Sequence, residues 1–214
     1  MYKKTPFFIV FEGVEGCGKS FQSKKLFRNL LKKKIACLLT REPGGTKSAE
    51  LIRNLILKDY FAQNTKDKFD KYTDTLLYLA ARNEHIINKI RPALQNKKVV
   101  ICDRFTDSTL AYQVHGKKVD INFIKNVHKK ILNGIKPNIV FVLKVSEKSS
   151  RLRLKKRKIK NRYDNFSQSF YTKAQKSFLK LAKNKKNYYI LNSSSNNDQL
   201  EKKIFNIVSN YLKI

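Results

Sequence analysis

Residues 13–20 read Gly-Val-Glu-Gly-Cys-Gly-Lys-Ser and fit the pattern G-x-x-x-x-G-K-[ST]. That spacing suits one chemistry, the cradling of a phosphate. Gly13, Gly16 and Gly18 let the backbone approach an anion until its N–H groups point inward. Lys19 can then reach the outer phosphates of a nucleoside triphosphate, and the Ser20 hydroxyl can ligate Mg²⁺. The bare pattern arises by chance in roughly one chain of this size in a hundred, so its surroundings decide its weight.

Such a loop needs a strand to deliver it and a helix to complete it, because the helix N-terminus contributes unpaired N–H groups and a positive dipole end. The apolar run FFIVF (7–11) precedes the loop, and Leu26, Phe27, Leu30 and Leu31 share one helical face after it. Four more apolar or β-branched runs follow: IACLLT (35–40), VVICD (99–103), NIVFVLKV (138–145) and NYYIL (187–191). Their near-continuous apolar character predicts strands buried on both faces, as in a parallel sheet.

Helical periods fill the intervals. One long helix carries Leu76, Leu77, Ala80, Ile86, Ile87, Ile90 and Leu94 and ends near Gln95; a second, about 120–132, carries Ile121, Ile124, Val127, Ile131 and Leu132. Others cover about 166–184 and 197–212. Alternating strands and helices imply right-handed crossovers, hence an α/β fold of three layers with a five-stranded parallel sheet between helices. No internal repeat or Gly/Ser/Pro-rich linker divides the 214 residues, so one domain is expected, with a possible basic insert at RLRLKKRKIKNR (151–162).

The composition narrows the class. No apolar run approaches the ~18–20 residues of a membrane span. The basic start and apolar run of MYKKTPFFIVFEG lead straight into the glycine motif with no small-residue cleavage site, unlike a signal peptide. Cys17, Cys37 and Cys102 are odd in number and widely spaced, which favours reduced thiols and a cytoplasmic location. His85, His115 and His128 lack metal-ligand spacing. The net charge of +31 raises the idea of nucleic-acid binding. The lysines recur in nearly every segment without a recognition signature, however, so solvated helix faces are the preferred reading.

A guanine-specific NKxD signature is absent, which argues against a GTPase, and the chain is short for a motor ATPase. FEGVEGCGKS (11–20), TREPGGT (40–46), LLYLAAR (76–82), DRFTDSTLAYQ (103–113) and a basic run ending NRYD (161–164) together give the chain a resemblance, over nearly its whole length, to the bacterial thymidylate kinase family. The resemblance implies a P-loop NTPase fold and transfer of the ATP γ-phosphoryl group to dTMP, giving dTDP and ADP. The nearest rival is a kinase of another nucleotide or deoxynucleoside; a nucleic-acid-binding ATPase comes from a different class.

The resemblance also implies roles. Gly13, Val14, Glu15, Gly16, Cys17, Gly18, Lys19 and Ser20 would hold ATP, with Cys17 serving as packing. Arg104 of the DR motif and Arg53 would grip the acceptor phosphate. Arginine suits that task because its planar fork pairs with phosphate oxygens. Tyr78, where phenylalanine is commoner, would stack on thymine, and Arg82, four residues on, would donate to the base O4. Thr109 and Gln113 would meet the base edge, and Tyr112 would crowd a ribose 2′-hydroxyl. Glu15 would face the sugar 3′-hydroxyl; an acid so close to phosphates requires a donor hydroxyl or an arginine nearby.

Asp103 either supports Mg²⁺ with Ser20 or orders Arg104. The phosphate loop contains no arginine, so the catalytic guanidinium must come from elsewhere. In the bacterial type it comes from a mobile lid, here residues 151–165, with Arg157 leading and Arg153 and Arg162 assisting. Asn161 stands where relatives often carry an acid before the last of these arginines. A homodimer built from packed helices is the implied assembly.

Overall fold

A computed structural model describes residues 5–57, 69–156, 167–194 and 197–214. Strands β1 (Phe7–Glu12), β2 (Cys37–Arg41), β3 (Val99–Asp103), β4 (Ile139–Lys144) and β5 (Tyr188–Asn192) form one parallel sheet in the order β2-β3-β1-β4-β5. All five coincide with the apolar runs to within two residues. Every residue of β1 is buried, since Ile9 lies level with Ile101 on one side and Ile139 on the other. Helix α1 (Lys19–Lys32) follows the phosphate loop and buries Leu26 and Leu30 against the sheet, while Leu31 stays exposed.

The remaining helices are α2 (Lys47–Leu57), α3 (Lys71–His85), α4 (Arg91–Gln95), α5 (Thr106–Thr109), α6 (Ile121–Leu132), α7 (Glu147–Lys155), α8 (Gln168–Ala182) and α9 (Asn197–Leu212). Strand register sets the site: Phe11 of β1 and Arg41 of β2 both lie level with Asp103 of β3, so the carboxyl ends of three strands share one edge. Open α/β sheets bind ligands at that edge.

Three local expectations differ from the structure. The long helix ending at Gln95 is α3 and α4 joined by a π-helical turn, Ile86–Ile90. Its assumed inner face is also wrong in part, because Leu76 and Ile87 are 50% and 47% exposed while Arg82 and His85 are buried. Apolar periodicity cannot register a charge that is buried because it is paired. Residues 106–116 carry no helical period yet form α5 and a π-helical segment, Leu110–Gly116. Ala111 packs in the core, whereas the buried polar side chains of Ser108, Thr109 and Gln113 face the cavity described below. Finally, α7 starts within the approach to the basic run, capped by the Ser146 hydroxyl accepting from the Ser149 N–H. Among the described residues no helix is long and apolar enough to cross a membrane.

Candidate active site

The phosphate loop leaves β1 at Gly13, whose φ of +136° already favours glycine; a Cβ there would stand 2.6 Å from the Leu143 carbonyl oxygen. Gly16, at φ +69°, packs as tightly against α7, with Ser150 backbone oxygen 2.8 Å from where a Cβ would lie. The loop is thus wedged between β4 and α7. Val14 and Cys17 point into the core, so what they can offer a ligand is backbone. Burial pushes the Cys17 thiol above its ordinary range, in keeping with a packing role. Lys19 turns back over the loop, donating from Nζ to the carbonyls of Gly13 (3.0 Å) and Val14 (2.8 Å). Ser20 donates to Asp103 Oδ2 in a very close contact.

Arg104 sits at φ +75°, a left-handed conformation that is strained for a residue with a side chain. Its Nη2 donates to Glu15 Oε1 at 2.6 Å, and its Nη1 to the Gly13 carbonyl at 2.9 Å and Ser108 Oγ at 3.0 Å. The Tyr112 hydroxyl donates to the other Glu15 oxygen at 2.6 Å. Glu15 therefore has both the arginine and the hydroxyl its position requires. Burial alone would raise its carboxyl, but Arg104, Lys19 and the Tyr112 hydroxyl together hold it below the ordinary range. The Tyr112 ring is fixed by stacking on Phe170, centroids 5.8 Å apart.

Arg82 is 3% exposed and almost fully committed. Its Nε donates to Glu42 (2.7 Å), Nη1 to Thr109 Oγ1 (2.6 Å) and His128 Nε2 (2.9 Å), and Nη2 to the Phe105 carbonyl (2.8 Å). Of its five N–H groups, one on Nη2 is left by these bonds. His85 braces the other side of Glu42, Nδ1 to Oε1 at 3.1 Å, and reaches Thr40 through Nε2 at 2.6 Å.

His128 accepts from Arg82, so it must be neutral. Burial and then the Arg82 charge push its pKa down to about 3. The unfolded chain protonates this ring below about pH 6.5 while the native state does not until about 3, so stability falls as pH drops through that window. His128→Gln, which can still accept from Arg82, is expected to lose less stability between about pH 7 and about pH 5 than the parent, as denaturant melts at both values would measure.

These groups line one cavity of about 400 Å³. Glu15, Gly16, Gly18, Lys19 and Ser20 of the loop reach it, as do Arg53, Tyr78, Arg82, Asp103, Arg104, Thr109, Tyr112, Gln113 and Arg153. The structure thus brings together candidates from five stretches of chain. Arg53 comes from α2, where its Nη1 donates to the Pro43 carbonyl at 2.7 Å. Arg153 comes from α7 and reaches over the loop, donating to the carbonyls of Gly16 (3.2 Å) and Ser193 (2.6 Å). Arg157 and Arg162 lie outside the described residues. Six cations (Lys19, Arg41, Arg53, Arg82, Arg104, Arg153) face the cavity against three carboxylates (Glu15, Glu42, Asp103), a surplus suited to phosphorylated ligands.

Sequence reasoning missed Glu12, Arg41, Glu42, His85, Ser108 and His128. One signal was legible: Glu12 is a charged residue closing a run otherwise fully apolar. Glu42 lies inside TREPGGT, but nothing local shows its task, because its partner Arg82 is 40 residues away.

Comparison with known proteins gives the family. The profile of the thymidylate kinase family matches residues 11–204. The thymidylate kinase of Aster yellows witches'-broom phytoplasma is 41% identical over 210 residues, covering 96% of each chain. That of Prochlorococcus marinus strain MIT 9301 is 36% identical over 212 residues, covering 95% of this chain and 97% of its own. A crystal structure of thymidylate kinase from Ehrlichia chaffeensis superposes with a TM-score of 0.74 at 29% identity, over 95% of this chain and 99% of that one. A chain with this loop, this cationic cavity and these relatives belongs to the thymidylate kinase family, whose reaction is the ATP-dependent phosphorylation of dTMP to dTDP.

Proposed function

We propose that the two nucleotides meet end to end in the cavity, ATP phosphates at the loop and dTMP between α2, α3 and the segment after β3. The observation that carries this reading is the cationic surplus of one cavity whose lining from the loop and α7 differs in chemistry from its lining by α3 and the segment after β3. Lys19, Ser20 and Arg153 supply the first of these. The lining from α3 and the segment after β3 has an aromatic ring, Tyr78, an amide, Gln113, and the remaining N–H of Arg82, which are groups suited to a base. The Nε2 of Gln113 is buried there and has no partner among the described residues, as a group awaiting a ligand would be.

Within that reading Arg53 and Arg104 neutralise and aim the acceptor phosphate, which two mutually repelling anions require before a phosphoryl group can pass. Glu15 accepts from the sugar 3′-hydroxyl, and Tyr112 narrows the space where a 2′-hydroxyl would lie. Thr109 acts through Arg82, whose Nη1 it already accepts. Cytosine presents a 4-amino donor to the Arg82 donor and is rejected.

The metal-site residues also fit. Ser20 and Asp103 are hard oxygen donors in mutual contact, and Mg²⁺ is ordinarily held by one or two such groups together with substrate phosphates and water. They would hold the ion, which supplies charge neutralisation on the phosphates when bound. The basic lid implied at residues 151–165, within a single kinase domain, would close the site; Arg153 is its arginine among the described residues, and Arg157 and Arg162 lie outside them. Leu51, Leu55, Leu76 and Ile87 are exposed apolar residues on α2, α3 and the π turn, as a homodimer face there would require. Reduced Cys17, Cys37 and Cys102 suit a cytoplasmic enzyme.

Arg104→Lys tests the acceptor assignment. It keeps the charge and loses the fork, so the KM for dTMP should rise about tenfold or more while that for ATP stays within about twofold. An equal rise in both would sink the assignment.

A further inference from the structure

Glu12 is fully buried at the end of β1 and has no counter-ion in direct contact among the described residues. Burial, and after it the neighbouring Asp107, push its carboxyl up to about 7. A buried acid held so unfavourably calls for an explanation beyond packing. Three donors converge on it. Oε1 accepts from the Phe105 N–H at 2.8 Å and the Ser108 N–H at 3.2 Å; Oε2 accepts from the Ser108 hydroxyl at 2.6 Å. All three belong to Phe105 and Ser108, in the short helix α5 and its N-cap directly after Arg104.

We propose that Glu12 is a positioning residue for the acceptor nucleotide: it clamps this segment, and through Ser108 it aims the Arg104 guanidinium into the cavity. The direction of the hydrogens carries the argument. Ser108 gives its one hydroxyl hydrogen to Glu12, which leaves its lone pairs to accept from Arg104 Nη1 at 3.0 Å. Arg104 is thereby tied on both sides, to Gly13 and Glu15 of the loop and to Ser108 behind it. The left-handed backbone at Arg104 needs such support, since a side chain there relaxes unless its surroundings over-determine it. The Ser108 hydroxyl, the Arg104 charge and the Phe105 N–H oppose the rise that burial causes and favour the ionised form, which suits the task because it only accepts. The amide introduced by Glu12→Gln must turn a donor toward one of the three donors already present.

The inference rests on the reading of Arg104 as an acceptor-phosphate ligand, and steady-state kinetics on four variants separates the two. Glu12→Gln should raise the KM for dTMP about tenfold to a hundredfold, with the KM for ATP within about twofold. Ser108→Ala should raise the KM for dTMP about tenfold. The double variant should be no worse than Glu12→Gln alone, because both act through one chain of bonds. Additive losses, an equal rise in the KM for ATP, or an unchanged KM for dTMP would overturn the proposal. If Glu12→Gln does not fold, Ser108→Ala decides it by the same criteria. Arg104→Lys distinguishes the failures: unchanged dTMP affinity there removes the acceptor reading and this inference together. A raised KM in Arg104→Lys with an unchanged one in Glu12→Gln removes this inference alone.

Discussion

Arg153→Ala is expected to lower kcat by about 10³-fold or more while the KM for dTMP changes by less than about twofold. The phosphate loop has no arginine of its own, yet phosphoryl transfer gathers negative charge where donor and acceptor meet. Arg153 is the arginine that α7 brings over the loop, its Nη1 3.2 Å from the Gly16 carbonyl oxygen. Both acceptors bonded to it are neutral carbonyls, and no carboxylate among the described residues pairs with it. Its charge is therefore undiminished and its present bonds are exchangeable for phosphate oxygens, which bind a guanidinium more strongly. Single-turnover and steady-state rates on the variant provide the check. A fall in kcat matched by a rise in the KM for dTMP would instead make Arg153 an acceptor ligand. The resemblance gives Arg157 the leading part, so Arg157→Ala should also lower kcat strongly with dTMP affinity retained. Comparing the two variants ranks the lid arginines.

The second large effect is on stability. Glu42→Ala is expected to cost about 3–5 kcal/mol, because it strands a buried guanidinium. At about 2–4 °C per kcal/mol for a chain of this size, the thermal midpoint should fall by about 6–20 °C. Glu42 and Arg82 are each 4% exposed in their side chains and 2.7 Å apart, and His85 shares the carboxylate. Burial would raise Glu42, but Arg82 and His85 outweigh it and hold its carboxyl below the ordinary range. A carboxyl so depressed stabilises the native state above its unfolded pKa and loses that contribution as pH falls through its folded one. The midpoint gap between parent and Glu42→Ala should therefore narrow in acid.

A midpoint unchanged at neutral pH would show that Arg82 finds other partners. The same pair also bears on selectivity. Arg82→Ala should lose stability by a similar route and, in addition, reduce the preference for dTMP over dCMP in kcat/KM. Retained selectivity would take Arg82 out of the base site whatever happened to the midpoint.

The sequence by itself determined the five strands, the longer helices between them, the parallel sheet and the phosphate loop, but not α2, α5 or α7. What it determined depends on local signals: apolar runs of strand length, periodic helices and a glycine spacing that few other structures need. Some site residues were legible in the motifs, whereas Glu12, Arg41, Glu42 and Ser108 stood inside the same motifs without a task; Glu15 illustrates how far local reasoning reaches, since its need for an arginine or a hydroxyl followed from charge alone.

Which arginine and which hydroxyl answered that need was decided only in three dimensions, because Arg104 and Tyr112 lie 89 and 97 residues away. The same holds for Glu42 with Arg82 and His128, and for Glu12 with Ser108. Polar pairing inside a protein leaves no period in the chain, since each partner sits on a different element and a parallel sheet places long crossovers between them. Strand register at the carboxyl edge of β1, β2 and β3, rather than any local preference, sets these groups within bonding distance.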